Sequence, residues 1–342
     1  MQKKKKNYTA VLFILLGITI FLSLFYGAVK VPIKDILKIL SNQLFFTNFV
    51  ISKKSFIPIV FYVRLPRIMT AVIVGGALAL CGCTMQSLLR NPIVDSGIVG
   101  ISSGASLGAV ISISFGFSAK YIIAMPLLSV IFALTIAGGV YRLSSWRGKT
   151  DNLLLILSGL AVSSFVGALT SMILSNFVEA QLREYLFWSI GSLSGRRWEH
   201  FLFGVFPITI LSGILFQYGK ELNILLLGNE EAKSLGINIK KMRKKILMTI
   251  ALLTSISVCI SGNIGFVGMI VPHILRRILG ADNRKLLKAS FLTGAFFLTF
   301  SDLLSRIILA PREISVGIIT SLIGAPYFVS LILKMKREGR NL

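Results

Sequence analysis

The stretch LLLGNEEAKSLGINIKKMRKK, Leu225 to Lys245, lies between two long apolar runs and is unlike both. It is a charged, glycine-punctuated insert in a chain that otherwise avoids charge. Only 15% of the 342 residues are Asp, Glu, Lys or Arg, against about a quarter in an ordinary globular domain. Hydrophobic residues make up 54%, and the mean hydropathy is +0.81. That is the composition of an integral membrane protein, in which such an insert is a connection between spans.

Runs of roughly 20 mainly apolar residues, the length a spanning helix needs, recur near 9–29, 58–83, 97–115, 121–143, 152–175, 198–219, 246–261, 264–279, 286–309 and 313–335. They predict an all-α polytopic membrane protein of ten transmembrane helices, one domain over 1–342, with a connecting loop at 225–245. Lys3 to Lys6 precede the first run as in a signal peptide, but the run is near 20 residues and no Ala-x-Ala site follows, so it reads as an uncleaved span. The net charge of +24 does not point to nucleic acid, because the basic residues sit in short inter-helix loops, where they set topology. Alternating the loops from a cytosolic start places most Lys and Arg inside, with both termini cytosolic. In the first loop, Ile33, Ile36, Leu37, Ile39 and Leu40 recur at helical spacing after Pro32, which predicts a helix along the outer membrane surface.

Within the opening stretch, Gly228 and Gly236 bracket a short helix that Asn229 can cap. Glu230 and Glu231 fall in its first turn, where acidic groups suit the helix dipole, and Gly236 permits a left-handed stop. A second, basic segment over 237–245 is expected to follow. Helices this short are marginal in water, so something must hold them. Two readings stand: an ordinary basic loop packed on its own helices, or a docking element for a cytosolic partner.

No catalytic or metal centre can be assembled. Cys81, Cys83 and Cys259 lie in apolar runs, and His200 and His273 are far apart. Arg147-Gly148-Lys149-Thr150 lacks the glycine five positions earlier that a phosphate-binding loop needs, since Leu143 stands there. Asp302 is the one carboxylate clearly inside a span, and Arg306, one turn on, is its expected partner. A proton-coupled carrier would place several ionisable groups at midplane.

Four segments in order resemble the FecCD family of ABC-importer permeases: 64–109 (RLPRIMTAVIVGGALALCGCTMQSLLRNPIVDSGIVGISSGASLGA), LGNEEAKSLGINIKKMR in the opening stretch, 262–287 (GNIGFVGMIVPHILRRILGADNRKLL) and 301–328 (SDLLSRIILAPREISVGIITSLIGAPYF). Cys81 and Cys83 stand where that family commonly has Ala. The resemblance implies the ten-span fold of the cobalamin permeases, a dimer of permeases, identical or paralogous, and a place in the bacterial cytoplasmic membrane. It also implies two ATPase subunits that hold ATP and Mg, and an external substrate-binding protein; this chain itself needs no cofactor and makes no covalent bond. By the same resemblance Gly228, Glu230, Glu231, Ala232, Leu235 and Gly236 form the ATPase-coupling loop, and Arg64, Arg67 and Arg306 receive acidic groups of the binding protein, although headgroup snorkelling would also account for Arg64 and Arg67. The small residues Gly100, Gly104 and Gly108 allow close helix packing; in the family this helix also borders the pathway, which makes Ser102, Ser103, Gly104 and Ser106 its candidate lining. The expected cargo is an iron(III)-siderophore, ahead of haem and cobalamin.

Overall fold

A computed structural model describes residues 2–337 apart from 28, 48, 147, 148 and 151. The chain is helical almost throughout. In order come α1 (Gln2–Phe25), α2 (Ile33–Phe45), α3 (Leu65–Leu89), α4 (Ile101–Ser114), α5 (Phe117–Lys120), α6 (Ala124–Leu143), α7 (Asn152–Leu174) and α8 (Glu179–Ile190). There follow α9 (Trp198–Gln217), α10 (Gly219–Leu227), α11 (Asn229–Ser234), α12 (Ile239–Ser261), α13 (Val267–Leu279), α14 (Asn283–Ile307) and α15 (Val316–Arg337). A π-helical turn, Pro58–Arg64, leads into α3, and a 3-10 turn, Ser96–Val99, leads into α4. The only strands among the described residues are Ser145–Trp146 and Lys149–Thr150, a two-residue antiparallel ladder; residues 147 and 148 of the RGKT stretch lie outside the described residues.

All ten expected apolar segments are helical, but they are not equivalent. Eight are long and apolar enough to cross a membrane. The third and eighth are α4 and α13, of 14 and 13 residues, about 20 Å of helix at 1.5 Å per residue, against a hydrocarbon core near 30 Å. Both are shortened at their N-terminal ends, where Gly100 (φ +79°) and Phe266 (φ +69°) turn the backbone. The basic segment expected over 237–245 is no separate helix. Asn238 caps α12 by accepting from the Lys241 N–H at 3.0 Å, and the lysines form the first turns of a 23-residue helix. The sequence reading missed α8, because Glu179, Arg183 and Glu184 interrupt an apolar pattern that Leu182, Tyr185, Leu186 and Trp188 otherwise carry at helical spacing.

At the centre stands α3. From Pro66 to Leu89 only Met69 and Val72 are other than buried. It runs antiparallel to α14, with Gly75 against Gly294, and it meets the start of α13 where Gly82 faces Gly268. Without a driving force from water, membrane helices associate through such close backbone approach. A Cβ at Gly82 would lie 1.9 Å from the Gly268 carbonyl oxygen, where only backbone could move. Gly82→Ala should therefore lose about 3 kcal/mol by forced separation of the helices. Gly17→Ala, inside α1 where nothing lies within 4 Å, should lose nothing. Thermal unfolding of the two variants in detergent checks this, and equal midpoints would contradict the packing.

The helix expected in the first loop is present as α2. Ile36 and Ile39 are buried against Leu24, Val60 and Ile68, while Ile33 and Leu37 on the other side are 54% exposed.

Candidate functional site

Because α3 and α14 are antiparallel, the start of one lies beside the end of the other. Arg67, in the first turn of α3, donates through Nε to Asp302 Oδ1 at 2.8 Å, and its other arm reaches Glu313 Oε2 at 2.7 Å. Arg306 stands one turn beyond Asp302, with a guanidinium nitrogen 3.2 Å from Oδ2 at an angle that falls short of a hydrogen bond. It also donates to the carbonyl oxygens of Ser23 and Tyr26 at the end of α1. Arg64 donates to the Phe25 carbonyl at 3.0 Å, and to those of Leu24 and Val29.

The expected Asp302–Arg306 pair is thus one edge of a larger cluster. Sequence reasoning missed that Arg67 shares the carboxylate, and it missed Glu313 altogether. Asp302 is fully buried, and Arg64, Arg67 and Arg306 are 4–5% exposed, so all three guanidinium groups point into the protein rather than to headgroups. Arg67 and Arg306 share the two carboxylates, and Arg64, held only by backbone carbonyls, adds one further positive charge. Glu313, with its side chain 32% exposed, is the open member.

At the opposite end, α10 and α11 are fastened to the core helices. Asn223 donates to Asp282 Oδ1 at 2.8 Å and accepts from the Asn283 N–H at 2.7 Å. That amide hydrogen bond holds the Asp282 carboxyl below the usual carboxylate range. Arg90, the left-handed cap of α3, donates to the Leu225 carbonyl. Asn229 is the first residue of α11 and not its cap. Gly228 occupies the capping position, which frees the Asn229 side-chain oxygen to face Arg90 at 3.4 Å and Arg243 of α12 at 3.5 Å.

Gly236 (φ +80°) ends α11 as expected, its N–H on the Lys233 carbonyl at 2.9 Å. Only Ala232 of α11 is buried. Glu230, Glu231 and Lys233 face outward, and Leu227 and Leu235 beside them are 70% and 62% exposed. The small helix is therefore held from within by one alanine and a polar grip, and it presents two leucines among charges.

On α4 the small residues divide by face. Added side-chain carbons at Gly104 and Gly108 would lie 2.8 and 2.5 Å from backbone atoms of α6, so these glycines serve close packing. Ser102, Ser103 and Ser106 are half-buried on a different side. Ser103 donates to the Gly100 carbonyl at 2.9 Å and lies 3.2 Å from Ser163 Oγ of α7, while Ser106 lies beside Tyr185 of α8. The hydroxyls of α4 and α7 and the α8 phenol thus form one polar strip. Gly104 lies beneath α6, apart from it.

The FecCD transport family model matches residues 15–334. The hemin transport system permease of Yersinia pestis is 41% identical over 285 residues, covering 82% of this chain and 84% of that protein. An ABC transporter permease protein of Bacillus subtilis (strain 168), described as uncharacterized, is 37% identical over 348 residues, covering 100% and 98%. Among solved structures, one described as an inward-facing conformation of a metal-chelate type ABC transporter matches with a TM-score of 0.84 at 33% identity, over 96% of this chain and 99% of that one.

Proposed function

The chain belongs to the FecCD transport family, and from that premise we propose that it passes an iron(III)-siderophore across the membrane by alternating access, driven through α11. It is a multi-pass permease subunit of an ABC importer in the cytoplasmic membrane and not an enzyme. ATP and Mg belong to separate ATPase chains, and an external binding protein delivers the cargo. The second permease of the pair is an identical chain or a paralogue, and both termini face the cytosol.

The observation that carries the drive is the exposed Leu235 at the end of a six-residue helix whose first residue faces Arg90 of α3 and Arg243 of α12. An apolar side chain set among charges suits a pocket on another protein. A shift of α11 would pull on both core helices at once. Gly228, Glu230, Glu231, Ala232 and Gly236 shape and orient that contact.

At the other end, Arg64, Arg67 and Arg306 receive the binding protein through their net positive charge. An acidic group that approaches meets Glu313 first and can take its place on Arg67, a swap that sets register and encounter rate more than affinity. Between the two ends, the strip of Ser102, Ser103 and Ser106 borders the path, with Gly104 behind it. Hydroxyls offer hydrogen bonds but are poor ligands for iron, which suits a cargo whose metal is already chelated. Haem is the second reading, and the hemin permease of Yersinia pestis favours it; cobalamin is the third.

In an iron-starved strain lacking this gene, uptake of labelled ferric siderophore should fall at least tenfold. It should return only with a permease whose 225–245 loop is intact. Normal siderophore uptake with loss of haem or cobalamin uptake would overturn the cargo. Transport by the purified chain without any ATPase would overturn the drive in favour of a proton-coupled carrier.

A further inference from the structure

A groove of about 510 Å³ runs between α6 and α12, and nothing described above uses it. Its walls are Leu134 and Ala137 on one side and Leu247 and Ala251 on the other, over a floor of Met85 and Val99. Beside it, Leu127 and Ile131 on the outer face of α6 are about half exposed, as apolar side chains in contact with acyl chains should be. At one end the groove turns polar: Arg142, in the last turn of α6, and Lys244, in the second turn of α12, stand at its mouth with Tyr141.

Neither basic residue has a carboxylate within ion-pair distance among the described residues, and the first turn of α12 contains no acid. We propose that this groove binds one anionic phospholipid, an acyl chain between α6 and α12 and the phosphate between Arg142 and Lys244. The long apolar walls require a chain, and the paired cations at its end require a negative headgroup. Basic clusters just beyond the apolar part of a membrane helix recognise such headgroups.

The site adjoins both the start of α4 and the helix that contacts α11. Val99 and Ile101, on either side of Gly100, line its floor, and Lys244 lies on the helix whose Arg243 faces α11. A seated lipid would tie the start of α4 to α12.

Native mass spectrometry of the full-length permease in detergent provides the test, with phosphatidylglycerol and phosphatidylcholine of the same acyl chains. Each basic residue at an anionic surface is worth about fivefold, so the wild type should prefer phosphatidylglycerol roughly 30-fold. The double variant R142Q/K244Q should lose that preference while phosphatidylcholine binding stays unchanged. Gly138 lines the groove, and nothing lies within 4 Å of an added carbon there. Gly138→Leu should therefore fill the groove and weaken both lipids at least tenfold without lowering the thermal midpoint. Equal binding of the two lipids to the wild type, an undiminished preference in the double variant, or unaltered binding to Gly138→Leu would each overturn the site. Displacement of phosphatidylglycerol by glycerol phosphate alone would overturn the acyl-chain half of it.

Discussion

Replacing Asp302 with alanine is expected to destabilise the permease by about 3–5 kcal/mol, the largest loss foreseen for any single side chain in it. The carboxylate is fully buried and serves Arg67 through one oxygen and Arg306 through the other. Its removal leaves two nearly buried guanidinium groups with Glu313 as the sole remaining carboxylate, and an uncompensated buried charge costs that much. Asp302→Asn keeps an acceptor oxygen for Arg67 and should lose less. Glu313→Gln, at a partly open site, should lose no more than about 1 kcal/mol. Thermal unfolding in detergent at equal expression measures all three. If Asp302→Ala melts with the wild type, the cluster does not hold α3 to α14.

Leu235→Asp and Gly236→Val should both cut uptake more than tenfold while the partner ATPases go on hydrolysing. They act differently. Leu235 is 62% exposed and makes no part of the core, so a carboxylate there would remove the proposed apolar contact and leave folding alone. Gly236 stands at φ +80°, where a β-branched residue is strained by about 1–2 kcal/mol, so valine distorts the end of α11 itself. Uptake and ATP hydrolysis measured together in proteoliposomes separate coupling from assembly. Unchanged uptake in both variants would return 225–245 to the role of an ordinary basic loop.

Hydrophobic runs and Gly-rich motifs made the helical, membrane-spanning character legible in the sequence, because lipid forces every span to satisfy its own backbone. The lengths of α4 and α13 were less so. Apolar residues continue through the turns at Gly100 and Phe266, so composition cannot tell a full span from a short helix preceded by buried loop. The pairing of Asp302 with Arg306 was readable because it is four residues long. Its extension to Arg67 was not, because 235 residues separate them and only the antiparallel contact of α3 with α14 joins the ends. Likewise Asn229 has the chemistry of a cap, and local rules assign it as one. The neighbouring Arg90 and Arg243 recruit it for another purpose, and they come from other helices.

That 235-residue separation also bears on how the protein is made. A chain emerging at 5–20 residues per second carries Arg67 for on the order of ten to fifty seconds before Asp302 has been synthesised. For that interval the leading turn of α3 bears a cation with no counter-charge. The nascent helix must wait where water or headgroups can solvate it, and the centre of the finished bundle is among the last places to close.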